Sequence, residues 1–291
     1  MPPKPATKKA KFWKEKDCLN SGGGGSLKAN PDFIMAEEKS SPIGIIVVVA
    51  GVFLFKGGGD NGDQNEQQAT KPTEPAKPTS SSSTVVGIPA RSAKAKPDLI
   101  DLGIYYTQAL AKPLHTERPN NDLGSVPQGV HTLAEIAFDI RGLIQLANTS
   151  LREQFPERVD RIKVNRPCQK LHLLHGTGWN APEGTTIARL VLHYENGESR
   201  DLSVNYGQHV LDWWKYPDDK KEATDSVVAW LGSNGAAEAW RSQEGFTEPI
   251  FIQLFKTTWA NPLPDVTITS IDYVSTLTEA APFILALSLE P

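Results

Sequence analysis

The chain has 291 residues, 39% of them hydrophobic and 22% charged, and a net charge of −4. The charge divides unevenly, with +4 before Gly57, +1 over residues 57–97 and −9 over the remainder, so a large acidic part without a basic stripe excludes nucleic acid as its partner. Two cysteines, Cys18 and Cys168, supply neither a disulfide framework nor a metal pattern.

Residues 1–41 open with six lysines in "MPPKPATKKAKFWKEK" and read as a solvated basic tail that sets membrane topology. "SGGGGS" at 21–26 adds a flexible stretch. The longest apolar run, "IGIIVVVAGVFLF" (Ile43–Phe55), covers only about 20 Å as a helix, but uncharged flanks and a snorkelling Lys56 extend it toward a bilayer span. The expectation is a single transmembrane anchor at 42–59, its N-terminus cytoplasmic and its C-terminal domain outside. Over forty residues precede the run and no A-x-A-like site follows, which disfavours a secretory signal peptide. Residues 60–97 are rich in Pro, Ser, Thr and Gln and read as a flexible linker.

From Asp98 to Pro291 the pattern is short strands between turns. They are expected at Leu99–Tyr106, Leu133–Ile140, Leu143–Ala147, Arg161–Val164, Lys170–His175, Ile187–Tyr194 and Ser199–Val204, then at Ser226–Leu231, Ile250–Thr258, Val266–Thr276 and Phe283–Leu289. Only "TSLREQF" and "SNGAAEAWRSQ" look helical. Many strands without a βαβ rhythm imply an all-β sandwich or barrel. In "ARLVLHYENGESRDLSV" a three-residue loop, Glu195–Gly197, sets Leu190 against Leu202 and Leu192 against Arg200. That register groups more apolar side chains on one face than a two-residue loop does.

"KLHLLHGTGW" raises the question of a metal or catalytic site. Side chains three apart on a strand point to opposite faces, so His172 and His175 are not expected to chelate one ion, and the Gly run is expected to turn the chain. No HExxH, CxxC, G-x-S-x-G or Walker pattern occurs, so no enzyme, metal or cofactor is expected.

Together "HTLAEIAFDIRGLIQLA", "KLHLLHGTGW", "VNYGQHVLDWW" and "KTTWANPLPDVTITSIDYVSTLTEAAPFILALSLE" carry a resemblance. Over Asp98–Leu289 the chain resembles galactose-binding-like, carbohydrate-binding-module-like jelly-roll domains of bacterial envelope-associated proteins. The resemblance implies an antiparallel jelly-roll β-sandwich that binds and does not catalyse. It transfers no ligand residue, because the binding loops of that fold vary.

The aromatic residues point the same way independently. Saccharides offer apolar C–H faces and fixed hydroxyls, so an exposed indole beside short polar side chains suits them. Candidate ligand-binding residues are Trp179 with Asn180, Asp212 with Trp214, and Trp259 with Asn261. The leading expectation is a binding module for glycan or another envelope component. The alternatives are a transmembrane sensor or regulator, and an assembly protein whose β domain contacts other proteins.

Overall fold

A computed structural model describes residues 85–114 and 118–291. The basic tail, the run Ile43–Phe55 and the linker up to residue 84 lie outside the described residues. Among those described, no helix is long and apolar enough to cross a membrane.

The described chain forms strands β1 (Gly129–Leu133), β2 (Ile136–Ile140), β3 (Ile144–Gln145), β4 (Arg158–Arg166), β5 (Lys170–Gly178), β6 (Thr186–Tyr194), β7 (Ser199–Asn205), β8 (Trp214–Lys215) and β9 (Ser226–Gly232). Helix α1 (Gly235–Glu244) and strands β10 (Phe251–Ala260), β11 (Ile268–Ser275) and β12 (Ala281–Glu290) follow. One sheet runs β3-β12-β5-β10, with β9 on the far side of β10 and β8 beside the first residues of β10; the other runs β4-β11-β6-β7. Pairings between these strands are antiparallel.

The two sheets close on one apolar core that takes Leu171, Leu173, Phe255 and Leu287 from the first and Ile162, Leu190, Leu192 and Ile271 from the second. The molecule is therefore an all-β sandwich. A second core covers the outer face of the first sheet, where Leu174, Ile252, Leu254 and Phe283 meet Leu110, Leu123, Phe138 of the β1–β2 hairpin and Ala237 of α1. Buried on both faces, β5 has no exposed residue after Lys170, which is why its sequence reads as a nearly continuous apolar run.

The β6–β7 hairpin takes the register expected from its apolar pattern. Leu190 faces Leu202, Leu192 faces Arg200, and Gly197 closes the loop with φ of 85°. Helix α1 forms where "SNGAAEAWRSQ" indicated. Asn234 caps it by accepting the Ala237 amide at 2.8 Å, and left-handed Gly245 ends it.

Three segments differ from expectation. Leu99–Tyr106 is not a strand: Asp101 accepts the Gly103 amide at 2.9 Å, and the Leu102 carbonyl accepts from Tyr105, which coils the backbone while Ile100, Leu102 and Tyr106 still fill the core. Leu133–Ile140 is the end of β1, a turn and β2. Its turn residues Ala134 and Glu135 take φ of 44° and 71° without the Asn or Gly that advertises such a turn. "TSLREQF" makes a single turn, closed by the Leu151 carbonyl and stopped by Pro156.

The packed part also begins before Asp98. Ile88 lies against the main core, and Arg91 bonds the Leu99 carbonyl and pairs with Asp101 and Asp139 at 3.5 and 3.6 Å. The last residues of the expected linker are thus a strap on the sandwich.

Candidate functional site

The glycines of "HGTG" do not turn the chain. Gly176 and Gly178 remain in β5 without positive φ, and the residue that turns is Trp179, at φ of 59°. A non-glycine residue in this region is strained by about 1–3 kcal/mol, and such strain persists only where surrounding contacts impose it.

Those contacts come from the segment leading into β8. It enters between the end of β5 and the start of β10: the Trp213 amide donates to Thr177 O at 2.9 Å, and the Gln253 amide donates to Trp213 O at 2.8 Å. The Gln253 side chain fixes the same segment by donating to Asp212 O at 2.8 Å. Asp212 thereby lies beside Thr177, with its carboxylate accepting the Trp214 amide at 3.2 Å and the amides of Trp213 and Trp179 also directed at it.

Although the residue as a whole is half-buried, its carboxyl group is enclosed, and that desolvation pushes its pKa up to about 7. The three amides oppose the shift, and the Asp219 charge adds to it. The carboxyl group therefore changes charge near neutrality while holding the turn that presents Trp179.

Asn180, the residue after Trp179, is tied to a second loop. The Tyr206 hydroxyl donates to Asn180 Oδ1. Lys221 pairs with Glu183 at 2.5 Å and sits 5.8 Å from the Tyr206 ring centroid. Tyr206 is buried, and burial, reinforced by Asp212, raises its pKa, so its hydroxyl stays a neutral donor. Trp179 is 36% exposed, and Asn180 is exposed beside it. A partly exposed aromatic residue thus adjoins the amide of Asn180, which a buried phenol holds from behind.

Of the six residues proposed from sequence, Trp179, Asn180 and Asp212 come together. The Trp214 ring turns toward the second core, where Nε1 donates to Asn121 Oδ1 at 3.2 Å and the ring stands 6.1 Å from Tyr216. Trp259 lies across from Leu171, at the start of β5, while Trp179 follows its end, a separation of about 26 Å along the strand. Its ring packs on the main core, 5.3 Å from His209. Asn261 is buried, bonded to the Tyr194 hydroxyl and to Cys168 O at 2.9 Å, and it braces a turn. Glu183, Tyr206 and Lys221 were not singled out from sequence. Of these, only Tyr206, set before Gly207 in "NYGQ", carried a local signal.

The histidines have separate duties. His172 meets Thr258 Oγ1 at 2.9 Å and Glu290 at 3.3 Å, whereas His175 meets Thr257 Oγ1 at 2.8 Å. Thr257 and Thr258 are successive residues of one strand, so the two imidazoles lie on opposite faces. Because the Thr257 hydroxyl donates to His209 O at 3.0 Å, it accepts from His175, whose pKa burial lowers to about 3. His175 is a neutral core residue.

A third group, Ser199–His193–Asp272, lies on the outer face of the second sheet. His193 reaches Ser199 Oγ at 3.0 Å and Asp272 Oδ2 at 2.9 Å. The connectivity is that of a nucleophilic relay, but Ser199 and His193 are cross-strand partners whose contact follows from register. The Asp272 carboxylate is also held by Arg158 at 3.1 Å and by the Arg161 amide at 2.8 Å, contacts that keep its pKa below the usual carboxylate value despite burial. The group staples β4, β11, β6 and β7 together.

Compared with protein-family models and with curated proteins, the chain matches none.

Proposed function

We propose that this chain is a membrane-anchored extracytoplasmic binding module of jelly-roll type, and that its loop platform at Trp179 takes a saccharide of the cell envelope. The observation that carries the reading is the partly exposed indole of Trp179, forced into a left-handed turn by the enclosed Asp212 carboxylate and flanked by Asn180. An indole face stacks on sugar C–H groups, and the exposed amide of Asn180 beside it matches hydroxyls.

The jelly-roll assignment rests on strand order. Successive strands from β3 to β6 alternate between sheets, β7 follows β6 in the second, and β10, β11 and β12 alternate again, giving β3-β12-β5-β10 over β4-β11-β6-β7. The anchor rests on the run Ile43–Phe55 and the basic tail before it.

The deciding experiment is a glycan array with the full chain, followed by titration of retained glycans against Trp179→Ala and Asn180→Ala. Retention of glycans whose affinity falls about ten- to a hundredfold in Trp179→Ala supports the reading. An array with no retained glycan, or one unaffected by both substitutions, defeats it.

A further inference from the structure

Three long strands border the sandwich, and they differ in charge. In the second sheet β4 carries Arg158, Asp160, Arg161, Lys163 and Arg166, and β7 carries Arg200 and Asp201. Charges on an edge strand deter further pairing. The outer strand of the first sheet, β9, reads Ser-Val-Val-Ala-Trp-Leu-Gly and has none. Among the described residues nothing pairs with its outer edge, and Val227, Val228 and Leu231 are exposed, at 48%, 44% and 49%. An unpaired, uncharged edge with three exposed aliphatic side chains is a template for one more strand.

A cavity of about 250 Å³ adjoins this edge on the face that Val228 shares with its cross-strand partner Phe255. Leu211, Phe255 and Val228 give it an apolar lining, and Ser226 Oγ is buried beside it without a hydrogen-bond partner. Two lysines reach it. Lys221 is engaged by Glu183, whereas Lys215 has no ion pair among the described residues; Glu222 stands at the rim. A strand added to β9 would project alternate side chains onto this face, next to Val228 and within reach of the cavity.

We propose that β9 accepts an extended segment of a partner protein as an added strand, with one aliphatic side chain in this cavity and one carboxylate at Lys215. A second copy of this chain is the less suitable occupant, because β9 brings no carboxylate for Lys215 and each copy carries a net charge of −9 over residues 98–291.

The test is selection of displayed random ten-residue peptides on the full chain, followed by hydrogen exchange with the enriched peptides. The expected peptides combine alternating aliphatic residues with an acidic one, slow amide exchange at residues 226–232 at least tenfold, and bind Lys215→Glu at least tenfold more weakly. Exchanging the peptide's acidic residue for lysine should restore binding to Lys215→Glu. Val228→Lys, a change at an exposed position, should abolish binding without moving the melting temperature. Peptides without this pattern, no slowing at 226–232, or equal binding by Lys215→Glu would overturn the proposal. So would protection of β9 that depends on protein concentration alone, which would make a second copy the occupant.

Discussion

Phe283 stands directly across from Gly176 in the ladder of β12 and β5, and its ring occupies the space a side chain at Gly176 would need. A Cβ there would lie 2.5 Å from Phe283 Cζ. The same ring meets Trp213 edge-on at 6.1 Å, so it supports the segment that carries Asp212. Gly176→Ala should therefore cost about 1–3 kcal/mol through overpacking, measured by urea unfolding. The penalty should shrink in a Phe283→Leu background. Gly197→Ala has open space but a φ of 85°, and its cost should not respond to Phe283→Leu.

Stability should depend on pH through two buried groups acting in opposite directions. The Asp212 pKa is raised to about 7 from 3.8, mainly by burial, so its contribution is complete below pH 4 and is lost as pH rises through 7. The His175 pKa is lowered to about 3 from 6.5, again by burial, so its contribution is complete above pH 6.5 and is lost as pH falls. Melting temperatures between pH 4 and 8 should show Asp212→Asn removing part of the decline toward pH 8. His175→Gln, which keeps a donor for Thr257, should remove part of the decline toward pH 4. Unchanged profiles in both variants would show that neither group titrates where its burial places it.

What the sequence disclosed follows from where local chemistry and tertiary packing agree. The β6–β7 register was legible because period-2 apolar residues and Asn196-Gly197 specify it together. The β1–β2 turn was hidden, since Ala134 and Glu135 are ordinary residues held at positive φ in a turn whose carbonyl Ala134 O accepts from Lys256 at 2.9 Å. The strap at Ile88 and Arg91 was likewise hidden, because Pro- and Ser-rich composition reads as a tether while its partners Asp101 and Asp139 lie elsewhere in sequence. In the site, an aromatic residue next to a short polar one was enough to find Trp179 and Asn180. It could not separate them from Trp259 and Asn261, because the separation along β5 and β10 exists only after the strands pair.

Asn261 shows what that limit means in energy. Its side chain bonds the Tyr194 hydroxyl, Cys168 O at 2.9 Å, and both the amide and the carbonyl of Leu263 at 3.2 Å. Asn261→Ala should leave buried polar partners unsatisfied and cost about 1–3 kcal/mol in urea unfolding. Glycan affinity measured below the unfolding transition should not change. A loss of affinity in a fully folded variant would return Asn261 to the binding site.

The tryptophans supply the sharpest contrast, because three that are near one another in the fold have different surroundings. Trp213 is buried between Phe283 and Trp214, at ring distances of 6.1 and 6.5 Å, so Trp213→Ala should open a cavity and cost about 3–5 kcal/mol. Trp214 is half-buried and bonded to Asn121, and its truncation should cost less than that of Trp213 while loosening the loop that Asn121 ties to Leu114. Trp179 is more exposed than either, and its backbone amide is held by Asp212 whatever the side chain. Trp179→Ala should therefore cost less stability than Trp213→Ala, while Trp179→Gly should lose no more than Trp179→Ala because glycine accepts φ of 59° without strain. Urea unfolding of the four variants tests the order. If Trp179→Ala proves as costly as Trp213→Ala, the indole is a core residue, and the saccharide platform loses its central element.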